Sequence, residues 1–227
     1  MTEFTLYTAE NAPEEAKPLM ADSVAAFGML PNLHAVMAEA PTLLKGYQVL
    51  HDLFQKTSFN AEELTVVWQS INVEHNCHYC VPAHSGIAAS MKVDQDIVDA
   101  LVNKTPLANP KLEALRETTL AMTRERGVIS DEQIEKFFAA GYGKQQLLEI
   151  IVGLSQKVMS NYTNHLADTP VDAPFKKYNE HIGQSYGGIS INDKSDSTPV
   201  IVYEGNKIKA GTMGDYKNTN TLVSPTY

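Results

Sequence analysis

The chain has 227 residues, 43% hydrophobic and 20% charged, with a formal net charge of -9; that length supports one sizeable core, or a core with an extension. The acidic balance, without any run of Lys and Arg, argues against grip on a phosphate backbone, so no nucleic-acid partner is expected. No apolar stretch reaches the roughly 20 residues that cross a bilayer, Met1 to Asn11 lacks a signal peptide's pattern, and the two cysteines form no disulfide framework, so no membrane contact and a reduced, cytoplasmic compartment are expected.

Most of the chain reads as helices punctuated by Pro, Gly and Asn. Ala16, Leu19, Met20, Val24 and Phe27 recur at helical spacing from about Pro13 to Phe27, and Pro31 stops that segment. Pro41 opens the next, with Leu43, Leu44, Tyr47, Leu50, Leu53 and Phe54 on one side. Asn60 with Glu63 three residues on reads as a capping box for a helix carrying Val66, Val67, Trp68 and Ile71. Further helices are expected from the cysteine region to about Met91, from Asp94 to Val102, and from Lys111 to Arg126, closed by Gly127. Ser130 and Gln133 give a second capping box, opening a segment to about Ala140. The last helix runs from Lys144 to about Leu166, with Leu147, Leu148, Ile151, Leu154, Val158 and Tyr162 at three- and four-residue steps. An all-α domain over residues 1–181 is therefore expected. Residues 182–227 turn rich in Gly, Ser, Asn, Asp and Thr and read as an irregular tail. Its runs Pro199 to Tyr203 and Lys207 to Lys209 flank Gly205-Asn206 as a small hairpin does.

Both cysteines lie in Glu74-His75-Asn76-Cys77-His78-Tyr79-Cys80-Val81-Pro82-Ala83-His84. On a helix, positions 77, 80 and 84 share one face, which puts two thiols within disulfide reach and an imidazole beside one of them. A free thiol titrates near ~8.5 and needs help to ionise at neutral pH. Three helpers are at hand: a helix N-terminus, which Pro82 places nearby, His84 one turn beyond Cys80, and Glu74 one turn before Cys77. A thiolate so formed attacks a peroxide to give a sulfenic acid, which the second thiol converts to a disulfide; it can equally exchange disulfides with a partner.

This segment, with Val66-Val67-Trp68 and Ser160-Asn161-Tyr162-Thr163-Asn164-His165, resembles the redox-active Cys-x-x-Cys branch of the alkylhydroperoxidase D-like, carboxymuconolactone decarboxylase family over roughly residues 30–180. The resemblance implies a compact multi-helix bundle that forms a homo-oligomer and uses no cofactor, whether metal, haem or flavin. It implies a hydroperoxide reductase served by a dithiol protein, thioredoxin-like or a lipoyl carrier. Carried over, Cys80 is peroxidatic and Cys77 resolving, with His84 and Glu74 completing the site. The family's relay glutamate lies twelve residues before the first cysteine, where this chain has Thr65, so Glu74 is taken as its substitute. Tyr79 stands where a histidine often precedes the second cysteine.

Three rival readings compete. His75, Cys77, Cys80 and His84 offer zinc ligands, although structural zinc usually draws its pairs from separate segments. A non-catalytic helical binding or redox-sensing protein is the second rival. The third, a lactone decarboxylase, would not depend on the cysteines.

Overall fold

In the computed structural model the described residues are 3–178 and, beyond them, the strands at 199–204, 207–212 and 223–225. In chain order the helices are α1 (Lys17–Phe27), α2 (Asn32–Met37), α3 (Pro41–Gln55), α4 (Ala61–Glu74), α5 (Cys80–Ser90), α6 (Gln95–Val102), α7 (Pro110–Arg124), α8 (Asp131–Ala139) and α9 (Lys144–Ala167), followed by a 3-10 turn at Ala173–Phe175. The chain divides into two compact units, Met1–Ser185 and Tyr186–Tyr227.

Every residue from Glu63 to Val73 is buried. A helix without an outward face must lie at the centre of its fold, and α4 packs against α5, α6, α7 and α9. Its start is fixed by the expected capping box: the Glu63 amide donates to Asn60 Oδ1 at 2.9 Å, and the Asn60 amide to Glu63 Oε2 at 3.0 Å. The second box closes the same way at Ser130 and Gln133. Pro41 and Pro110 open α3 and α7 at the first turn, where a missing N–H costs nothing. Around α4 the core gathers Phe54, Val67, Trp68, Ile71, Leu115, Phe137 and Ile150. A second cluster joins Met20, Leu33, Met37, Leu44 and Tyr47 to Cys77, Tyr79 and Cys80. The thiols therefore belong to the packed interior.

Three features depart from the sequence reading. Pro31 stops nothing for long: it is the N-cap of α2, a six-residue helix too short to show a period. The 3-10 turn at Ala173–Phe175 was likewise not expected. The third departure is larger. α9 forms over the expected span, but its apolar stripe faces the core only in part, through Leu147 and Leu154. Leu148, Ile151 and Tyr162 are exposed, whereas Ile150, Gly153, Gln156, Lys157, Ser160, Asn161 and Asn164 are buried. The apolar period located the helix and oriented its first half in part; from Gln156 onward the face it buries is polar.

In the second unit, Pro199–Glu204 (β1) pairs antiparallel with Lys207–Thr212 (β2), from Pro199 opposite Thr212 to Glu204 opposite Lys207. The expected hairpin is thus extended by a strand the sequence did not announce, Val223–Pro225 (β3), giving the order β2-β1-β3. The strand is three residues long and ends in proline, too little to show alternation. The rest of the tail expected to be irregular lies outside the described residues.

Gly153 marks the closest approach of α9 to the core: a Cβ there would stand 2.7 Å from the Phe54 ring and 3.0 Å from Val67 Cγ1. Gly153→Val should therefore destabilise the fold by about 2 kcal/mol through overpacking, read as a lower urea midpoint with an unchanged slope.

Candidate active site

α4 ends at Glu74, and the chain turns through Asn76, which adopts the left-handed conformation at φ 52°. The turn delivers Cys77 to the front of α5 and makes Cys80 the first helical residue. Pro82 sits in the first turn of α5, as its missing N–H requires. The Cys80 amide donates to Cys77 Sγ at 3.2 Å, so the first sulfur caps the helix that carries the second. Both residues are buried, at 0% and 1% exposure, but they are not equivalent. Only Cys80 lines a cavity of about 120 Å³, walled by Phe27, Leu33, Tyr47, Tyr79, His84 and Phe175 among others. Cys77 lies behind it.

The sulfur of Cys80 also receives the better hydrogen bonds. Asn164 Nδ2 lies 3.2 Å from Cys80 Sγ and 3.9 Å from Cys77 Sγ. Burial pushes the Cys80 thiol up, but the Cys77 thiol, the nearby Lys157 charge and the Asn161 and Asn164 amides together outweigh it and draw the group down. Burial also pushes the Cys77 thiol up, and the Cys80 sulfur adds to it; the Cys80 amide and Lys157 oppose that rise without overcoming it. The two shifts run in opposite directions, so of the coupled pair Cys80 is the thiol its surroundings favour for ionisation.

His84 lines the same cavity, its ring packed on Trp68 with centroids 4.9 Å apart. Lys157 Nζ is 2.8 Å from His84 Nε2. An ammonium only donates, so this bond puts the imidazole proton on Nδ1, a buried atom without a protein partner. Burial first, then Lys157 and His51, keeps His84 uncharged well below the usual histidine range. Two further histidines wall the cavity: burial pushes His34 down to about 3 and His51 down to about 4.

Of the residues singled out from sequence, the structure brings Cys77, Cys80 and His84 together and leaves Glu74 out. Both carboxylate oxygens of Glu74 are taken by Arg124, at 2.8 Å and 2.7 Å. Glu74 lines a different depression, of about 610 Å³, along α4, α7 and α8. The helical offset of three that was to link it to Cys77 is lost where α4 stops. His75 turns to Asn161 Oδ1 at 2.8 Å, and among the described residues no three His, Cys, Asp or Glu side chains converge on a metal position.

The residues missed by sequence are on α9. Gln156 accepts from Trp68 Nε1 at 2.7 Å and reaches His51 Nδ1 at 3.0 Å, Asn161 donates to Asn72 Oδ1 at 3.0 Å, and Lys157 faces the thiols. Their signal was present: polar residues at 156, 157, 160, 161 and 164 follow the same three- and four-residue spacing as the apolar stripe.

No family model matches the chain, and no curated protein is similar to it in sequence. Solved structures do match. A protein from Ralstonia eutropha JMP134, described as an uncharacterized peroxidase-related protein with an alkylhydroperoxidase AhpD core, superposes with a TM-score of 0.68 at 15% identity, covering 76% of this chain and 93% of that one. An uncharacterized peroxidase-related protein from Silicibacter sp. TM1040 gives 0.65 at 18% identity, covering 77% and 93%. The debrominase Bmp8, as a cysteine-to-alanine variant in complex with 2,3,4-tribromopyrrole, gives 0.67 at 18%, covering 80% and 98%. The helical unit thus has the alkylhydroperoxidase D-like fold that the sequence resemblance implied.

Thiolate absorbance of the reduced protein should show one thiol ionised at neutral pH and the second still protonated well above it. Cys80→Ser should remove the early titration, and Glu74→Gln should leave it in place. Loss of the early titration in Glu74→Gln would return that carboxylate to the site.

Proposed function

We propose that the protein is a dithiol oxidoreductase that reduces small organic hydroperoxides. The observation that carries this reading is the asymmetry of the pair: Cys80 lines a small apolar cavity and takes the closer Asn164 hydrogen bond, while Cys77 is buried outside that lining and accepts from the Cys80 amide. The Cys80 thiolate attacks the outer oxygen of R–O–OH, the O–O bond breaks, a sulfenic acid forms, and the alkoxide leaves as the alcohol once protonated. Cys77 then condenses with the sulfenic acid, water departs, and a disulfide remains. A dithiol partner, thioredoxin-like or a lipoyl group, returns both electrons by exchange. His84 stands beside the reacting sulfur as the group that handles the proton. The likeness of fold to two peroxidase-related proteins supports an enzyme of this kind.

The aromatic walls of the cavity favour a second reading. A cavity of about 120 Å³ lined by Phe27, Tyr47, Tyr79 and Phe175 suits one flat ring, and the debrominase Bmp8 shares the fold. In that reaction the two thiols give two electrons to a halogenated ring, which leaves as the hydrogen-substituted ring with halide and a proton, again leaving a disulfide.

Self-association is part of the proposal. Leu148, Ile151, Tyr162 and Leu166 on α9, and Val49 and Leu53 on α3, are exposed, and these helices pack side by side. Rows of this kind are the usual material of subunit seams.

One equivalent of an organic hydroperoxide should remove two hydrogens from the reduced wild type by intact mass. Cys80→Ser should be inert, Cys77→Ser should stop at the sulfenic acid, and His84→Ala should be slowed by about 10²-fold. Turnover surviving in Cys80→Ser would end the assignment. Bromide release from a brominated pyrrole, with no reaction toward peroxide, would select the second reading.

A further inference from the structure

Lys157 is completely buried, and its ammonium meets no carboxylate: none pairs with it among the described residues. Its hydrogen-bond partner is His84 Nε2, and it lines the cavity with Cys80. The titratable groups around it are Cys77, Cys80 and His84 from α5 and the turn before it, and Tyr47 and His51 from α3. From α4, Trp68 packs on His84 and bonds Gln156, and Asn72 bonds Asn161; neither is charged. Among these neighbours only a thiolate can compensate an ammonium. Burial draws Lys157 down, and negative charge on the cysteine pair is what opposes it.

That arrangement has a consequence for the catalytic cycle. When the disulfide forms, the thiolate disappears and the buried ammonium loses its counter-charge. An unpaired charge in that position is strongly disfavoured, so the proton must leave. The first link of a path is built: Lys157 donates to His84 Nε2, and Nδ1, on the far side of a ring that lines the cavity, is buried without a protein partner.

We propose that Lys157 is the proton store of the dithiol, an ammonium opposite the Cys80 thiolate in the reduced protein and a neutral amine beneath the disulfide. The inference rests on the dithiol reading above and adds to it a positioning residue acting through His84. In the peroxide step the thiolate takes OH from R–O–OH, and Nδ1 of His84 gives its proton to the departing alkoxide while Nε2 takes one from Lys157. A thiolate, a hydroperoxide and an ammonium become a sulfenic acid, an alcohol and an amine, with no charge left over. Condensation with the Cys77 thiol then releases water. On reduction, the two hydrogens of the donor dithiol return to Cys77 and Lys157, and Cys80 is restored as thiolate. The pocket closes its cycle without drawing protons from solvent.

The test measures the midpoint potential of the wild-type pair against dithiol buffers across neutral pH, with thiolate absorbance followed in parallel, and repeats the absorbance in Lys157→Met. The potential should track two protons per two electrons even where Cys80 is already ionised, because the second proton is that of Lys157. In Lys157→Met the thiolate fraction at neutral pH should fall by about tenfold or more, while the melting temperature holds or rises, since methionine fills the space without a charge. One proton per two electrons in the wild type, or an undiminished thiolate in a folded Lys157→Met, overturns the proposal. Should the variant fail to fold, the wild-type slope decides alone. The potential is read without any peroxide, so wild-type inertness to hydroperoxide would sink the peroxidase reading and leave this measurement free to decide on Lys157.

Discussion

The interior of this protein is organised by the need to satisfy the polar face that α9 buries. Gln156, Lys157, Ser160, Asn161 and Asn164 are removed from water along two turns and more of one helix, and each unpaired group there would cost about 1–3 kcal/mol. Their partners come from three neighbouring helices and the turn after α4: Trp68 and Asn72 on α4, His51 on α3, His75 beyond α4, and Cys80 and His84 on α5. Gly153 lets α9 approach closely enough for these bonds to form. The thiols sit where this polar seam meets the apolar cluster of α1, α2 and α3.

The same seam breaks the symmetry of the two cysteines. A bare Cys-x-x-Cys at a helix N-terminus already favours ionising one sulfur. Here the amides of α9 reach Cys80 more closely than Cys77, and the ammonium of Lys157 supplies a full charge. Three histidines wall the cavity, yet burial keeps all three neutral. That leaves Cys80 and Lys157 as the groups that can carry opposite charges in a cavity walled mostly by apolar and aromatic side chains.

Local signals were legible in the sequence and tertiary ones were not. The capping boxes at Asn60 and Ser130, the N-terminal prolines and the apolar periods located the helices, because such signals act within one turn. The cysteine motif and His84 were legible because they lie within eight residues, in the turn before α5 and its first two turns. Glu74 misled for the converse reason: three residues before Cys77 means one turn away only if the helix continues, and it stops at the left-handed Asn76. Lys157 was hidden by a sound prior, since lysines almost always lie at the surface, and only the packing of α9 against α4 and α5 reverses it.

Tyr79 belongs to two structures at once. Its backbone is part of the turn that joins the sulfurs, while its hydroxyl accepts from the Leu33 amide at 3.3 Å and donates to Asp172. Asp172 in turn receives the amide of Asn32 at 3.0 Å, and Phe175, three residues on, packs against α5 so tightly that a Cβ on Gly86 would stand 2.6 Å from its ring. Start of α2, far wall of the cavity and redox turn are therefore clamped to a single phenol. Two cavity walls, Leu33 and Tyr79 itself, are thus anchored by the residue that spaces the two sulfurs, so the shape of the guest's chamber and the spacing of the thiols share one fixing point.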